Sequence, residues 1–393
     1  MVWLNNLRLK SKSPEARRKV LEALEGAADP RTRELLVASL ADEDPQVRCA
    51  AVKAIERANF EQTVPSLISA LQDPTSAVRA AAASGLGRLG DSRASAPLAK
   101  ALKDPNDQVR ACAGGALRTL AWKPGTAEEQ ALFEVALGNP RAAAALSGRA
   151  AVQALAIELR HDTSFKRRAA AEALQDVRDP QALQSLLTAL EDQDPTVRVS
   201  AIHALGKDAS EQVKTTLLRF FRDPESCARL AAAQALSKSI DARFAPQFLS
   251  LLRDNNFEVR LTAVQFLGKA GDPQVAEALL PMLSDSDSDV RQTAAKALGT
   301  LGNPNAIEGL VVALTDEDRS VRQAAEAALE TIDSNWLCSP AAQRATSRLE
   351  ASLNERPAWV RSAITQLLAK LRSPSGGPGA VGPDDTGILR LGH

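Results

Sequence analysis

One spacing constrains this chain more than any other feature. A pattern D-x-x-x-x-V-R closes on Arg48, Arg79 and Arg110, and again on Arg198, Arg260, Arg291 and Arg322, with steps of 31 residues or twice 31 inside each run. Arg167 and Arg229 keep the register with Lys166 and Ala228 in place of the valine, and Arg17 stands 31 residues before Arg48. The flanking positions repeat as well. Six residues before the arginine stands Asp42, Asp73, Asp104, Asp192, Asp223, Asp254, Asp285 or Asp316. Three residues after it stands an alanine, from Ala51 to Ala325, and seven after it Leu or Ile, from Ile55 to Leu329. Such a period marks stacked units, each of which needs its neighbours to bury its apolar face.

Each unit reads as two helices. The first ends at the leucine eight residues before the arginine, and a turn such as Gln72-Asp73-Pro74 follows. The second runs from near Thr75 to near Leu89, with Val78, Ala82 and Leu86 as one buried stripe. Asp44, Thr75, Asn106, Asp194, Asn256, Asp287 and Asp318 are expected to cap it by accepting from free first-turn N–H groups. Gly87, Gly206, Gly268 and Gly299 are expected to relax the backbone near the helix end. Pro30, Pro180, Pro273 and Pro304 open the next first helix. The recurring Asp and Arg are expected to form a ladder between adjacent units.

The register breaks twice. Arg110 to Arg167 is 57 residues, five short of two units, around Trp122 and the Ala-rich run 141–146. Arg322 to Arg361 is 39, eight too long, around Trp336. The expected organisation is an N-terminal cap at 1–13, a repeat array at 14–372 irregular at 119–160 and 331–358, and a tail at 373–393. Val2, Trp3, Leu4, Leu7 and Leu9 would cover the first unit; with Arg8, Lys10 and Lys12 they could instead make a small membrane contact. The Ser-, Pro- and Gly-rich tail is expected to be disordered, and its apolar end Ile388-Leu389-Arg390-Leu391 is a candidate short linear motif.

The composite D-x-x-x-x-V-R-x-x-A-x-x-x-L, set in two-helix units, resembles HEAT-like repeats. The short, alanine-rich form is similar to the type named after the phycocyanobilin (bilin) lyase subunits. The resemblance covers roughly residues 14–372. It implies an all-α fold, a right-handed superhelical α-solenoid of about eleven or twelve two-helix repeats, with second helices lining a concave face. It also implies several activities: scaffolds, chromophore-lyase subunits, a DNA glycosylase type and the deoxyhypusine hydroxylases. Architecture alone does not choose among them.

Composition narrows the choice. The 48 Lys and Arg balance 48 Asp and Glu, whereas a general nucleic-acid binder carries a basic surplus. Aromatics are 3% with no Tyr, so Ala and Leu must fill the core, which favours thin, closely packed helices. No stretch approaches the ~20 apolar residues of a membrane span, and the N-terminus lacks a signal-peptide core; a cytoplasmic protein is expected. Cys49, Cys112, Cys227 and Cys338 form no CxxC pair and are expected as small buried thiols.

No chemistry-bearing motif emerges. His161, His203 and His393 form no H-x-x-x-H or His-Glu pair. The hydroxylases of the resembled group would imply repeated His-Glu iron motifs, which this sequence lacks. Nucleophile elbow, P-loop and dinucleotide fingerprint are missing too. No catalytic residue, metal ligand or cofactor is assigned.

Candidate contact residues lie at the variable positions. Nine residues after the arginine stand Arg57, Arg88, Lys207, Lys238 and Lys269. They read either as partners of the helix macrodipole or as a basic stripe along one rim, suited to an acidic protein or a phosphate backbone. Five after it stand Lys53, Ser84, Gly115, Glu172, His203, Gln234, Gln265 and Lys296, a freely varying set in which partner specificity would be written. Trp122 and Trp336 fall in the irregular segments, as core plugs or contact residues. Phe220, Phe221, Phe244, Phe248 and Phe257 are expected in the core. The leading function is a non-catalytic scaffold or adaptor binding a protein partner on the concave face. The alternative is a bilin-lyase-like subunit or cofactor-attachment helper; a third is nucleic-acid binding, with affinity falling steeply with salt.

Overall fold

The computed structural model describes residues 9–24, 29–58, 61–177, 179–238, 241–352 and 358–372. Val2, Trp3, Leu4, Leu7 and Arg8 of the expected cap, and the whole tail with Ile388–Leu391, lie outside the described residues. Every regular element among the described residues is a helix. The chain divides into two compact units, residues 1–205 and 206–393.

Unit one contains α1 (Pro14–Ala23), α2 (Pro30–Ser39), α3 (Pro45–Ala58), α4 (Val64–Ala70), α5 (Ser76–Leu89), α6 (Ser95–Ala101), α7 (Asp107–Thr119), α8 (Ala127–Ala136), α9 (Pro140–Ala145), α10 (Gly148–Glu158), α11 (Ser164–Leu174), α12 (Pro180–Ala189) and α13 (Pro195–Leu205). Unit two contains α14 (Glu211–Leu218), α15 (Ser226–Ser237), α16 (Ala245–Leu251), α17 (Phe257–Ala270), α18 (Ala276–Leu279), α19 (Ser288–Leu301), α20 (Ile307–Ala313), α21 (Arg319–Ile332), α22 (Pro340–Ser352) and α23 (Ala358–Arg372). Even-numbered helices are first helices and odd-numbered ones second helices. Thus α2 to α23 form eleven pairs, with α1 in the second-helix position of the preceding repeat. Within each unit the second helices pack in a row, α1 on α3, α3 on α5 and α5 on α7, then α15 on α17, α17 on α19 and α19 on α21. Each first helix packs against its own second helix. This is an all-α solenoid.

The repeated residues build that row. The alanine three after the arginine is fully buried at each of its nine occurrences, from Ala51 to Ala325. The leucine or isoleucine seven after it is at most 2% exposed throughout. A methyl-sized side chain at the helix crossing lets backbones approach, and the longer residue one turn on fills the space beside it. The caps form as expected at Asn106, Asp194, Asn256, Asp287 and Asp318; Asn106 Oδ1, for example, accepts from Val109 N–H at 3.2 Å. Asp44 likewise accepts from Gln46 N–H at 2.8 Å. Thr75 is the exception: its side chain makes no cap bond and its Oγ1 instead accepts from Arg48.

The glycines correct a sequence expectation. Gly87, Gly268 and Gly299 do not loosen a helix end; they are buried, and their helices continue past them. A Cβ at Gly87 or Gly268 would stand 2.6 Å from the Cβ of Ala116 or Ala297, so these are points where neighbouring second helices nearly touch. The turn-forming glycines come three residues later, at Gly90, Gly271 and Gly302, with φ of 65° to 72°. Gly206 stands beyond the end of α13.

Both register breaks have simple structural forms. Between α7 and α11, the second helix α9 is cut to six residues, bracketed by Gly138 at φ 81° and by Ser147 and Gly148 at φ 57° and 69°. The stretch is a whole repeat with a short second helix. Near the C-terminal end, the extra residues form a 3-10 turn, Trp336–Cys338, that sets Trp336 into the core at 2% exposure. Its indole N–H donates to Glu330 Oε1 at 3.2 Å.

Two further expectations need correcting. Phe221 and Phe248 are buried as expected, Phe221 edge-on to Phe248 at 5.0 Å, and Phe248 stacks on the buried Phe266 at 3.8 Å. Phe257, however, is 41% exposed, because the first residue of α17 faces outward while Val259 turns in. The cysteines are not buried: Cys227 and Cys338 are exposed, and Cys49 and Cys112 are partly covered.

Candidate functional site

The recurring arginine is structural. Its Nε and Nη2 form a fork onto one aspartate of the next turn, as in Arg17 on Asp42, Arg48 on Asp73, Arg79 on Asp104, Arg167 on Asp192, Arg229 on Asp254, Arg260 on Asp285 and Arg291 on Asp316. Distances run from 2.6 to 3.0 Å. Meanwhile Nη1 donates to backbone carbonyls of the arginine's own turn, as Arg229 does to Asp223 and Pro224. The aspartate also accepts from the amide two residues on, as Asp254 does from Asn256. Each aspartate thus joins two repeats and shapes its own turn. Both side chains are only 6–14% exposed in these seven pairs. Burial pushes the carboxyls of Asp42, Asp73, Asp104, Asp192, Asp254 and Asp285 up, but the arginine fork and the backbone donor outweigh it, so each titrates below its ordinary range.

The ladder bends around the short helix α9. There the residue six before Arg167 is His161 instead of aspartate, and Arg110 pairs with Glu158 at 2.9 Å. His161 keeps the aspartate's local role, its Nδ1 accepting from Thr163 N–H at 2.9 Å. Its Nε2 lies 2.8 Å from Asp107 Oδ2, and Lys166 Nζ lies 3.2 Å from the same oxygen. Donation by His161, opposed by burial and reinforced by Lys166, holds Asp107 at about 2. The trio ties α7 to α11 across the truncated repeat.

With the core and ladder positions occupied, the exposed surface of the second helices remains as the candidate site. His203 on α13, Gln234 on α15 and Gln265 on α17 are all exposed. Arg57, Arg88 and Lys269 stand exposed in the last turns of α3, α5 and α17. Arg88 ion-pairs with Glu56. Lys238 is exposed at the end of α15, and Lys207 is exposed beyond the end of α13. Unit two brings Gln234, Lys238, Gln265 and Lys269 together on the adjacent helices α15 and α17. Trp122 is half-buried, its ring edge-on to Phe133 at 5.7 Å. Trp336 is interior and offers no surface.

Sequence reasoning missed a groove in unit one. Helices α1, α3 and α5 border an open groove of about 690 Å³ lined by Arg18, Cys49, Lys53 and Arg57, with Pro45, Ala50 and Ala77 among its apolar residues. Lys53 and Arg57 were visible as variable positions, but Arg18 and Cys49 each follow a register arginine by one residue and carried no signal of their own. Burial pushes the Cys49 thiol up. Among the described residues, no helix is long and apolar enough to cross a membrane, and no cluster of three or more His, Cys, Asp or Glu could hold a metal ion.

Paired helices stacked through a buried Arg–Asp ladder define a helical-repeat solenoid. HEAT repeats match residues 3–59, 34–118, 152–237, 245–330 and 277–369, and the chain belongs to this family. Among solved structures it is similar to an engineered protein, at 20% identity over 84% of this chain and 98% of that one, with a TM-score of 0.37. It is also similar to YibA of Escherichia coli, at 19% identity over 74% of this chain and 97% of that one, with a TM-score of 0.35. No curated protein matches the chain.

Proposed function

We propose that this HEAT-repeat chain is a non-catalytic scaffold that binds a protein partner along the exposed face of its second helices. One contrast carries the reading. The positions three and seven after the arginine are near-constant and buried from Ala51 to Leu329, while the position five after it varies in chemistry, exposed at Lys53, His203, Gln234, Gln265 and Lys296 and half-buried at Ser84, Gly115 and Glu172. A surface written residue by residue on a constant frame suits recognition of an extended partner. The frame is held by packing and buried ion pairs, so little ordering cost falls on binding. Exposed polar contacts contribute ~0.2–1 kcal/mol each, so useful affinity requires contacts from several repeats together. Four free cysteines fit a reducing, cytoplasmic setting.

The test is affinity capture from the native lysate with mass spectrometry. The full chain is compared with a variant carrying Gln234→Ala, Lys238→Glu, Gln265→Ala and Lys269→Glu. A stoichiometric protein partner, lost or reduced in the variant, is the expected result. A coloured or cofactor-bearing eluate without a protein would replace the scaffold reading with the bilin-lyase-like one.

A further inference from the structure

The unit-one groove gathers cations from two neighbouring second helices. Lys53 and Arg57 stand exposed on α3, one helical turn apart, and therefore share one side of the helix. Arg18 faces them from α1, its Nε 3.3 Å from Glu22 Oε1 and its Nη1 3.3 Å from Gln46 Oε1. Among the described residues, Glu22 is the carboxylate lining the groove, and Arg18 engages it. Three cations thus surround an open trough containing proline and alanine.

We propose that this groove takes an extended acidic segment of a protein partner, with carboxylates at alternate positions. The inference rests on the scaffold reading, because it presupposes a protein partner. Charge supplies the first argument. The second is spacing. Side chains four apart on a helix are separated by about 6 Å along the axis, and alternate side chains of an extended strand by about 6.6 Å. Carboxylates at positions i and i+2 of such a segment therefore reach Lys53 and Arg57 together, while its backbone lies over Ala50 and Ala77. The volume falls within the usual ~300–1,000 Å³ of ligand sites, and the open trough suits a passing chain. A polynucleotide is disfavoured, because its affinity comes from many phosphate contacts and this chain carries 48 cations against 48 anions.

Fluorescence anisotropy tests this with the full chain and a labelled peptide alternating Glu and Ala. The same peptide with Gln for Glu and a labelled oligouridine serve as comparisons. The acidic peptide should bind and weaken as salt rises, and the Gln peptide should not bind. Lys53→Glu with Arg57→Glu should weaken binding about tenfold or more, while Lys100→Glu, at an exposed position of α6, leaves it unchanged. Both groove residues are exposed, so circular dichroism should match that of the parent; Lys53→Gln with Arg57→Gln gives a milder second variant. Equal binding by the reversal variant, no binding of the acidic peptide, or preference for oligouridine would overturn the proposal. If the acidic peptide fails while partner capture still depends on Gln234 and Gln265, the groove assignment falls and the scaffold stands. If capture fails as well, both fall.

Discussion

Asp254 shows how much a single residue does in this architecture. It accepts both arms of the Arg229 fork, accepts from the Asn256 amide, and offers its own carbonyl to Arg260 at 2.8 Å. Removing one member of a nearly buried ion pair strands the other charge, at a cost of ~3–5 kcal/mol. Asp254→Ala should lower stability by about that amount in urea unfolding. Replacing Arg229 as well should restore only part of the loss, because the carbonyls of Asp223 and Pro224 then lose their donor. The same pairs set an acid limit. Their carboxylates titrate lower in the folded chain than in the unfolded one, so the unfolded chain takes up more protons as pH falls. Their contribution is present above the ordinary carboxylate range and lost on descent through the folded values. The urea midpoint should therefore drop steeply below about pH 4.

Glycines separate two opposing forces at the scale of the helix. Gly-to-Ala in a helix interior ordinarily stabilises by ~1 kcal/mol. At Gly115 nothing lies within 4 Å of an added Cβ, so Gly115→Ala should raise the melting temperature. At Gly268 the added Cβ would meet the Ala297 Cβ at 2.6 Å and its Cα at 3.2 Å. Overpacking costs ~1–3 kcal/mol and outweighs the propensity gain. Gly268→Ala should lower the melting temperature, and the opposite signs of the pair check the assigned contact. The short α9 teaches a related lesson. Losing residues from one second helix did not end the row, because Arg110–Glu158 and Asp107–His161 bridge the gap from the flanking turns.

Each repeat packs mainly on its neighbours at the scale of the molecule, so long parts of the chain should be self-supporting. Residues 1–205 expressed alone should retain strongly helical circular dichroism and a cooperative urea transition; a featureless, unfolded fragment would show that unit one depends on residues beyond 205. The sequence alone determined the repeat, the two helices per unit, the buried alanine and leucine positions, the Arg–Asp pairing and the family. These follow from local periodicity, and local periodicity is what one strand of text records. Tertiary structure decided what depends on a neighbouring helix. It made Gly268 a contact point instead of a helix end, turned Phe257 outward, sealed Trp336 inside, and put Glu158 in place of a missing aspartate. It also brought Arg18 on α1 opposite Lys53 and Arg57 on α3, residues that no spacing along the chain connects. A groove belongs to the gap between helices, and the gap is fixed by packing distances that a periodic pattern does not encode.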